Sequence, residues 1–307
     1  MRKYVTYGLA IAVEAYQNAD GKCKQQFSQE RGGRRFMTEV RINNVAVLID
    51  RVLSWGFMRG AASDEPFLFP RMISFSLPPG YDRIQRVQSF HELVTTPLQN
   101  GVNALCWPRL LEGDYGEVVR HLEVREGIRA LDLDQLQALP VSAAGRVAVE
   151  QLLADLRLLR EQGLSPELNC IRAYPRDEEP GPVPTDVFSF HADSATMEAD
   201  TYLCTYFGPA SEGLRHEEAR RRVEMPETRA ELLRDFGGED DEGFSEWLHE
   251  NCYDLHYAAL PGAVPFGFGL FNLWRIAVDY PGSPVPPCIH RAPETLPGDP
   301  PRLLLIS

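Results

Sequence analysis

Residues 187–193 read VFSFHAD, a short β-rich run that ends in a histidine and an aspartate. Side chains alternate along a strand, so residues i and i+2 lie on one face. His191 and Asp193 can therefore point toward one ion from the same side of a sheet. Short β-rich runs separated by turn residues continue on both sides of this segment. This pattern decides the fold class that we predict.

Short β-rich runs, each bounded by Pro, Gly or Asp, follow Pro166 as far as the end of the chain. They cover residues 168–174, 187–191, 201–207, 253–260, 266–278, 288–290 and 302–306. Many short strands separated by turn residues are typical of a barrel or a jelly roll. The sequence after residue 165 therefore predicts a β-rich core.

The first half of the chain has a different periodicity. Apolar residues recur at helical spacing, namely Val147, Leu152, Leu153, Leu156 and Leu159. Gly163 follows them, where a helix C-cap is expected. Residues 114–124 and 132–139 predict two shorter helices. We therefore expect a mainly helical region over residues 1–164, packed on a β-rich region over residues 165–307.

Residues 210–250 interrupt the β-rich half with a strongly charged insertion. The insertion contains thirteen acidic residues and six arginines. This composition predicts helices and loops that project from the core. Long insertions of this kind often cover a functional site.

Composition and charge exclude several classes of protein. The formal net charge is −13, which gives no general attraction to nucleic acid or to an anionic membrane surface. No stretch approaches the roughly 20 consecutive apolar residues of a membrane span. Six widely spaced cysteines are typical of reduced thiols. We therefore predict a cytoplasmic protein without nucleic-acid or membrane partners.

A third metal ligand has to come from a distant strand, and His290 ends the short run at 288–290. Two imidazoles and one carboxylate on one face form the ligand set of non-haem Fe(II) oxygenases, with positions left open for a co-substrate and oxygen. We predict His191, Asp193 and His290 as metal ligands and catalytic residues. The alternative is that both histidines are ordinary half-buried side chains. His249 and His256 fit no metal motif and are interpreted as structural.

Arg302 opens the last β-rich run, twelve residues after His290. An arginine can hold a carboxylate by two parallel hydrogen bonds. A 2-oxoglutarate enzyme needs such a group for the end of the keto acid that does not touch the metal. We predict Arg302 as this group, with Tyr174 donating its hydroxyl to the same ligand. A surface role for Arg302 and a core role for Tyr174 are the alternatives.

The motifs around these residues resemble known families. The order His191-Ala192-Asp193, His290, Arg302 is similar to that of Fe(II)/2-oxoglutarate-dependent dioxygenases, whose core is a double-stranded β-helix. A closer resemblance, over about residues 101–307, is to the bacterial domain of unknown function 1826. It rests on the segments GVNALCWPR (101–109), FHAD (190–193), TYFGP (205–209), HRAP (290–293) and RLLL (302–305).

The resemblance implies an α+β protein with a jelly-roll or cupin-like core and a bound metal. We expect an oxygenase that uses Fe(II), 2-oxoglutarate and O2 to hydroxylate, or otherwise oxidise, an unidentified small organic substrate, giving succinate and CO2. The alternative is a non-catalytic cupin-like protein that handles or senses zinc or iron, because zinc accepts the same ligands. In a third interpretation the charged insertion docks a protein partner.

Overall fold

The computed structural model describes residues 77–176, 181–296 and 298–307, together with the backbone of two short strands nearer the N terminus. The chain divides into two units, and one of them is Ile11–Ser74. In that unit the structure describes an antiparallel hairpin of β1 (Glu14–Gln17) and β2 (Cys23–Gln26). The rest of the predicted helical region before residue 77 lies outside the described residues.

The second unit, which includes Phe75–Ser307, combines helices with two sheets, and this confirms the predicted α+β class. Its helices are α1 (Phe90–Thr95), α2 (Tyr115–Leu122), α3 (Leu133–Gln137), α4 (Ala143–Glu161), α5 (Pro226–Phe236) and α6 (Glu242–Glu250). None of the helices in the described residues is both long and apolar enough to cross a membrane.

The larger sheet has seven strands in the order β3-β4-β13-β8-β15-β6-β5. All neighbours pair antiparallel except β3 and β4, which are parallel. The strands are β3 (Ile84–Arg86), β4 (Ala104–Trp107), β5 (Ile128–Ala130), β6 (Glu167–Ile171), β8 (Asp200–Phe207), β13 (Leu273–Ala277) and β15 (Arg302–Ile306). The last strand of the chain therefore lies in the interior of this sheet.

The smaller sheet has six short strands in the order β10-β11-β7-β14-β9-β12, all antiparallel. These strands are β7 (Phe190–His191), β9 (Glu212–Gly213), β10 (Ala219–Arg221), β11 (His256–Ala259), β12 (Phe266–Gly267) and β14 (His290–Arg291). The chain thus passes repeatedly between the two sheets after residue 167.

Helices α1, α2, α3 and α4 pack on one face of the larger sheet. Ser142 caps α4 by accepting a hydrogen bond from the Gly145 amide at 3.2 Å. The buried side of α4 includes Leu152 and Leu156, which share a core with side chains of β8 and β15. Val147, which we expected on this side, is 42% exposed because the buried stripe runs through its neighbours at 145, 148 and 149.

Alternate residues of the larger sheet face its other side. Trp274 of β13 and its cross-strand partners Cys106 and Leu203 form a second apolar cluster with Phe266 and Phe268, which come from the segment of the smaller sheet. An apolar layer therefore joins the two sheets at one end. The polar residues of the candidate metal centre lie on the smaller sheet, beside this apolar layer.

The charged insertion contains β-strands that the sequence does not predict. It contains α5 and α6, as expected, but also β9 and β10 of the smaller sheet. The expectation of helices and loops alone was wrong because strands of two and three residues, rich in Arg and Glu, carry no apolar alternation. Residues 266–278 likewise form two strands, separated by a turn in which Phe271 has a φ of 68°.

Candidate metal centre

The structure brings His191, Asp193 and His290 together on the smaller sheet. Strands β7 and β14 are neighbours, and His191 and His290 are direct cross-strand partners. Asp193 Oδ1 lies 3.9 Å from His191 Nε2 and 3.8 Å from His290 Nε2. Two ligands of one ion cannot lie farther apart than about 4.2 Å, twice an ordinary bond length. Both distances meet this condition. The three potential ligand atoms all lie within 4.8 Å of one another, so any excess over 4.2 Å between the two imidazole nitrogens is at most about 0.6 Å.

Backbone and side-chain hydrogen bonds orient each of the three side chains. The Nδ1 of His191 lies 2.7 Å from the Ser189 carbonyl, and the Nδ1 of His290 lies 3.3 Å from the Cys288 carbonyl. A proton on each Nδ1 satisfies these carbonyls and leaves each Nε2 lone pair free. Thr201 donates to Asp193 Oδ2 at 2.6 Å, which leaves Oδ1 facing the imidazoles. Such outer hydrogen bonds are typical of metal ligands.

Burial and mutual charge set the protonation of the cluster. Burial and the neighbouring His290 lower the pKa of His191 to about 4, against the opposing effect of Asp193. Burial disfavours the Asp193 carboxylate, but the two imidazoles and the hydrogen bond from Thr201 outweigh it and lower the pKa of Asp193. At neutral pH the cluster therefore offers a neutral imidazole and an ionised carboxylate, the forms that bind metal.

Arg302 is a buried cation without a carboxylate partner among the described residues. It is 1% exposed, and its guanidinium donates to the hydroxyls of Tyr174 at 2.7 Å and Ser211 at 2.9 Å. A longer contact of 3.4 Å reaches Thr205, and the Nε hydrogen has no acceptor. Burial lowers the pKa of Arg302. An arginine surrounded by neutral hydroxyls keeps an unneutralised charge, which favours an anion beside it.

Arg302 and Tyr174 contact residues of the segments that lead to the His-Asp-His cluster. Ser211 stands two residues, or about 7 Å of strand, from Gly213, the cross-strand partner of His290. Tyr174 packs edge-on against Phe188, with ring centroids 5.8 Å apart, and Phe188 leads into the strand of His191. The predicted anion-binding pair is thus connected through Ser211 and Phe188 to the strands that carry or adjoin the predicted ligands.

Arg291, the neighbour of His290, does not compete for the role of Arg302. Its Nε donates to Glu212 at 2.8 Å, and its guanidinium lies over the ring of Phe190, 4.4 Å from the centroid. Alternation along β14 places Arg291 opposite to His290, and its charge is already neutralised. Arg302 is therefore the better candidate for holding a ligand carboxylate.

Sequence reasoning interpreted His256 as structural and did not consider Arg222. His256 of β11 is the cross-strand partner of His191 and is 5% exposed, with the two ring centroids 5.7 Å apart. Arg222 follows β10, the strand that pairs with β11. Only the register of the smaller sheet brings them near His191. To find them from the sequence, one would have had to recognise β10 as a strand.

No family model, curated protein or solved structure matches this chain. The resemblance to the dioxygenases and to the domain of unknown function 1826 therefore stays a prediction. What defines the site is its own geometry: two imidazoles and a carboxylate that converge, and a buried arginine nearby.

Proposed function

We propose that this protein is an Fe(II)- and 2-oxoglutarate-dependent oxygenase that acts on a small organic substrate. The observation that carries the proposal is Arg302, which is buried without a carboxylate partner among the described residues. Its hydrogen-bond partner Ser211 adjoins β9, the strand that pairs with His290 of the cluster. A metal-binding protein without a carboxylate ligand has no use for such a cation. A 2-oxoglutarate enzyme needs one.

The strand order supports a double-stranded β-helix. Eight strands are shared equally between the sheets: β6, β8, β13 and β15 in the larger sheet, and β7, β9, β12 and β14 in the smaller sheet. Along the chain, each of these strands is followed by one in the other sheet, except that β9 and β12 both lie in the smaller sheet. In each sheet the first and last of these strands are paired, as β6 with β15 and β7 with β14. Antiparallel strands that wind back between two sheets in this order form a jelly roll.

The chain's own residues would position the reactants. His191, Asp193 and His290 would hold Fe(II), and Arg302 with Tyr174 would bind the distal carboxylate of 2-oxoglutarate. Bound iron would supply the redox chemistry by which O2 oxidises 2-oxoglutarate to succinate and CO2 while one oxygen atom enters the substrate. The walls of the space between the sheets would orient the substrate and limit the access of water.

Fe(II) suits the location that the cysteines indicate. Cys106, Cys170, Cys204, Cys252 and Cys288 are all free, and four of the five are buried. Free thiols are typical of a reducing compartment, where Fe(II) persists. We therefore include a cytoplasmic location in the proposal.

Anaerobic titration with Fe(II), with and without 2-oxoglutarate, tests the proposal directly. A weak visible absorption band should appear only when both are present, because the keto acid must chelate the bound iron. His191→Ala and Asp193→Ala should abolish both metal binding and the band with little loss of stability, since both side chains are polar and partly exposed, at 15% and 22%. Metal binding that survives either substitution would contradict the assignment of the ligands.

Arg302→Leu separates the oxygenase from a simple metal-binding protein. Removing the guanidinium should weaken 2-oxoglutarate binding by about 2 to 5 kcal/mol, the usual cost of leaving a buried charge unpaired. Fe(II) affinity should stay unchanged, because Arg302 is not a ligand. Arg157→Leu, which removes an exposed charge from α4, serves as the control. If Fe(II) and 2-oxoglutarate both bind Arg302→Leu as they bind the wild type, the oxygenase proposal loses its main support, and a zinc- or iron-handling protein becomes the favoured function.

A further inference from the structure

The smaller sheet carries a row of nitrogen side chains that extends beyond the proposed ligands. His290, His191 and His256 are successive cross-strand partners on β14, β7 and β11. On the next strand, β10, Arg221 pairs with Tyr257 and its Nε lies 3.3 Å from the Tyr257 hydroxyl. The next residue, Arg222, begins the short 3-10 helix that follows β10, and this helix packs against β11, the strand of His256.

Arg222 is half-buried, and like the buried Arg302 it has no carboxylate partner among the described residues. Its Nε hydrogen is buried without an acceptor. Burial lowers the pKa of Arg222. Arg222 is thus a cation at this end of the row, in a segment that packs against the strand of His256.

Three residues of this region carry buried polar atoms without hydrogen-bond partners. His256 Nδ1 and Ser189 Oγ are buried without hydrogen-bond partners, as is the Nε of Arg222. A buried polar group without a partner costs about 1 to 3 kcal/mol. Several such groups in one place indicate a ligand that completes their hydrogen bonds.

The two unpaired arginines flank the cluster from opposite sides. Arg302 contacts Ser211, on the side of β14 where β9 lies. Arg222 lies beyond β11, two strand spacings or about 10 Å from the backbone of His191. A single small ligand at Arg302 therefore leaves the charge of Arg222 unneutralised.

We propose that Arg222, with His256, binds an anionic group of the substrate, so that the substrate of this oxygenase is a small organic acid or phosphate or sulfate ester. The inference rests on the proposed function, since it assigns 2-oxoglutarate to Arg302 and the substrate to the opposite side. The guanidinium and one imidazole N–H donate to the anion. The anionic group would lie several bonds away from the substrate atom that is oxidised.

Equilibrium dialysis of the metal-free protein against inorganic phosphate tests for this second anion site. The wild type should bind two phosphates, one at Arg222 and one at Arg302. Arg222→Leu and Arg302→Leu should each bind one, and the double variant none. Arg234→Leu, which removes an exposed charge from α5, should bind two. Should Arg222→Leu fail to fold, Arg222→Gln removes the same charge and keeps a polar side chain.

Two results would overturn the inference: phosphate binding by Arg222→Leu that equals the wild type, or a wild type that binds one phosphate and loses it in Arg302→Leu. Failure of the proposed function would look different. In that case 2-oxoglutarate would bind the Fe(II)-loaded wild type and Arg302→Leu equally, or would bind neither, while Arg222→Leu would still lose one phosphate.

Discussion

At the scale of a single residue, Thr201 fixes the orientation of the Asp193 carboxylate. Its hydroxyl donates a 2.6 Å hydrogen bond to Oδ2, which leaves Oδ1 facing the imidazoles. Thr201→Val keeps the shape of the side chain and removes the donor. We expect affinity for Fe(II) to fall about 10- to 100-fold, as is usual when a hydrogen bond behind a metal ligand is lost. Competition with a coloured chelator measures this. Thr95→Val, at an exposed hydroxyl of α1, should bind Fe(II) as the wild type does.

His256 should make the stability of the metal-free protein depend on pH. Burial, followed by the charges of His191 and Arg222, lowers its pKa to about 3 in the folded protein. Below the ordinary value of about 6.5 the unfolded chain binds a proton that the folded chain does not, so stability falls as the pH falls. Between pH 6.5 and pH 5 the free energy of unfolding should therefore fall by about 2 kcal/mol because of His256.

Urea denaturation at pH 7 and pH 5 measures this dependence. His256→Gln has no group that titrates at this position, and its loss of stability on acidification should be smaller by about the same 2 kcal/mol. Equal losses in the two proteins would show that His256 is protonated as readily in the folded state as in the unfolded chain.

At the scale of the element, strand β9 depends on Gly213, the cross-strand partner of His290. A Cβ atom at Gly213 would lie 2.3 Å from the ring of Phe266 and 2.8 Å from that of Phe268. Gly213→Ala must therefore displace buried aromatic rings, and we expect it to cost about 1 to 3 kcal/mol and to weaken metal binding. Gly267→Ala on β12, where a Cβ meets nothing closer than 4.0 Å, is the control. Equal stability of the two variants would contradict this account.

The elements also show how far the sequence predicts the site. Alternation along one strand is enough to place His191 and Asp193 together, because both residues belong to the same short segment. The pairing of His191 with His290 depends on which strands become neighbours, and the predicted motif order anticipated it. Arg222 could not be found in this way, since β10 has the sequence ARR and shows no apolar alternation. Its position next to β11 follows only from the pairing of the preceding residue, Arg221, with Tyr257.

At the scale of the whole molecule, a buried ion pair joins the helical layer to the larger sheet. Arg109 donates to both carboxylate oxygens of Asp155 on α4, at 2.7 and 2.8 Å, and Tyr206 of β8 donates to the same carboxylate at 2.6 Å. Asp155→Ala would leave the Arg109 charge buried without its partner. We expect a loss of about 3 to 5 kcal/mol in the free energy of unfolding.

Chemical denaturation measures this loss. Glu150→Ala, on the exposed side of the same helix, should change stability by less than about 0.5 kcal/mol. A similar, small effect of both substitutions would show that the ion pair does not hold the helices on the sheet.

The interior position of β15 has a consequence for the folding of the protein during its synthesis on the ribosome. Strands β8 and β6 do not pair with each other, and β15, which lies between them, is made last. The ribosome adds roughly 5 to 20 residues each second, so the nascent chain spends about 5 to 20 s between the completion of β8 and the arrival of β15. During that time two apolar strand edges stay open to other chains. Chaperones that shield nascent polypeptides should therefore raise the yield of this protein in cell-free translation.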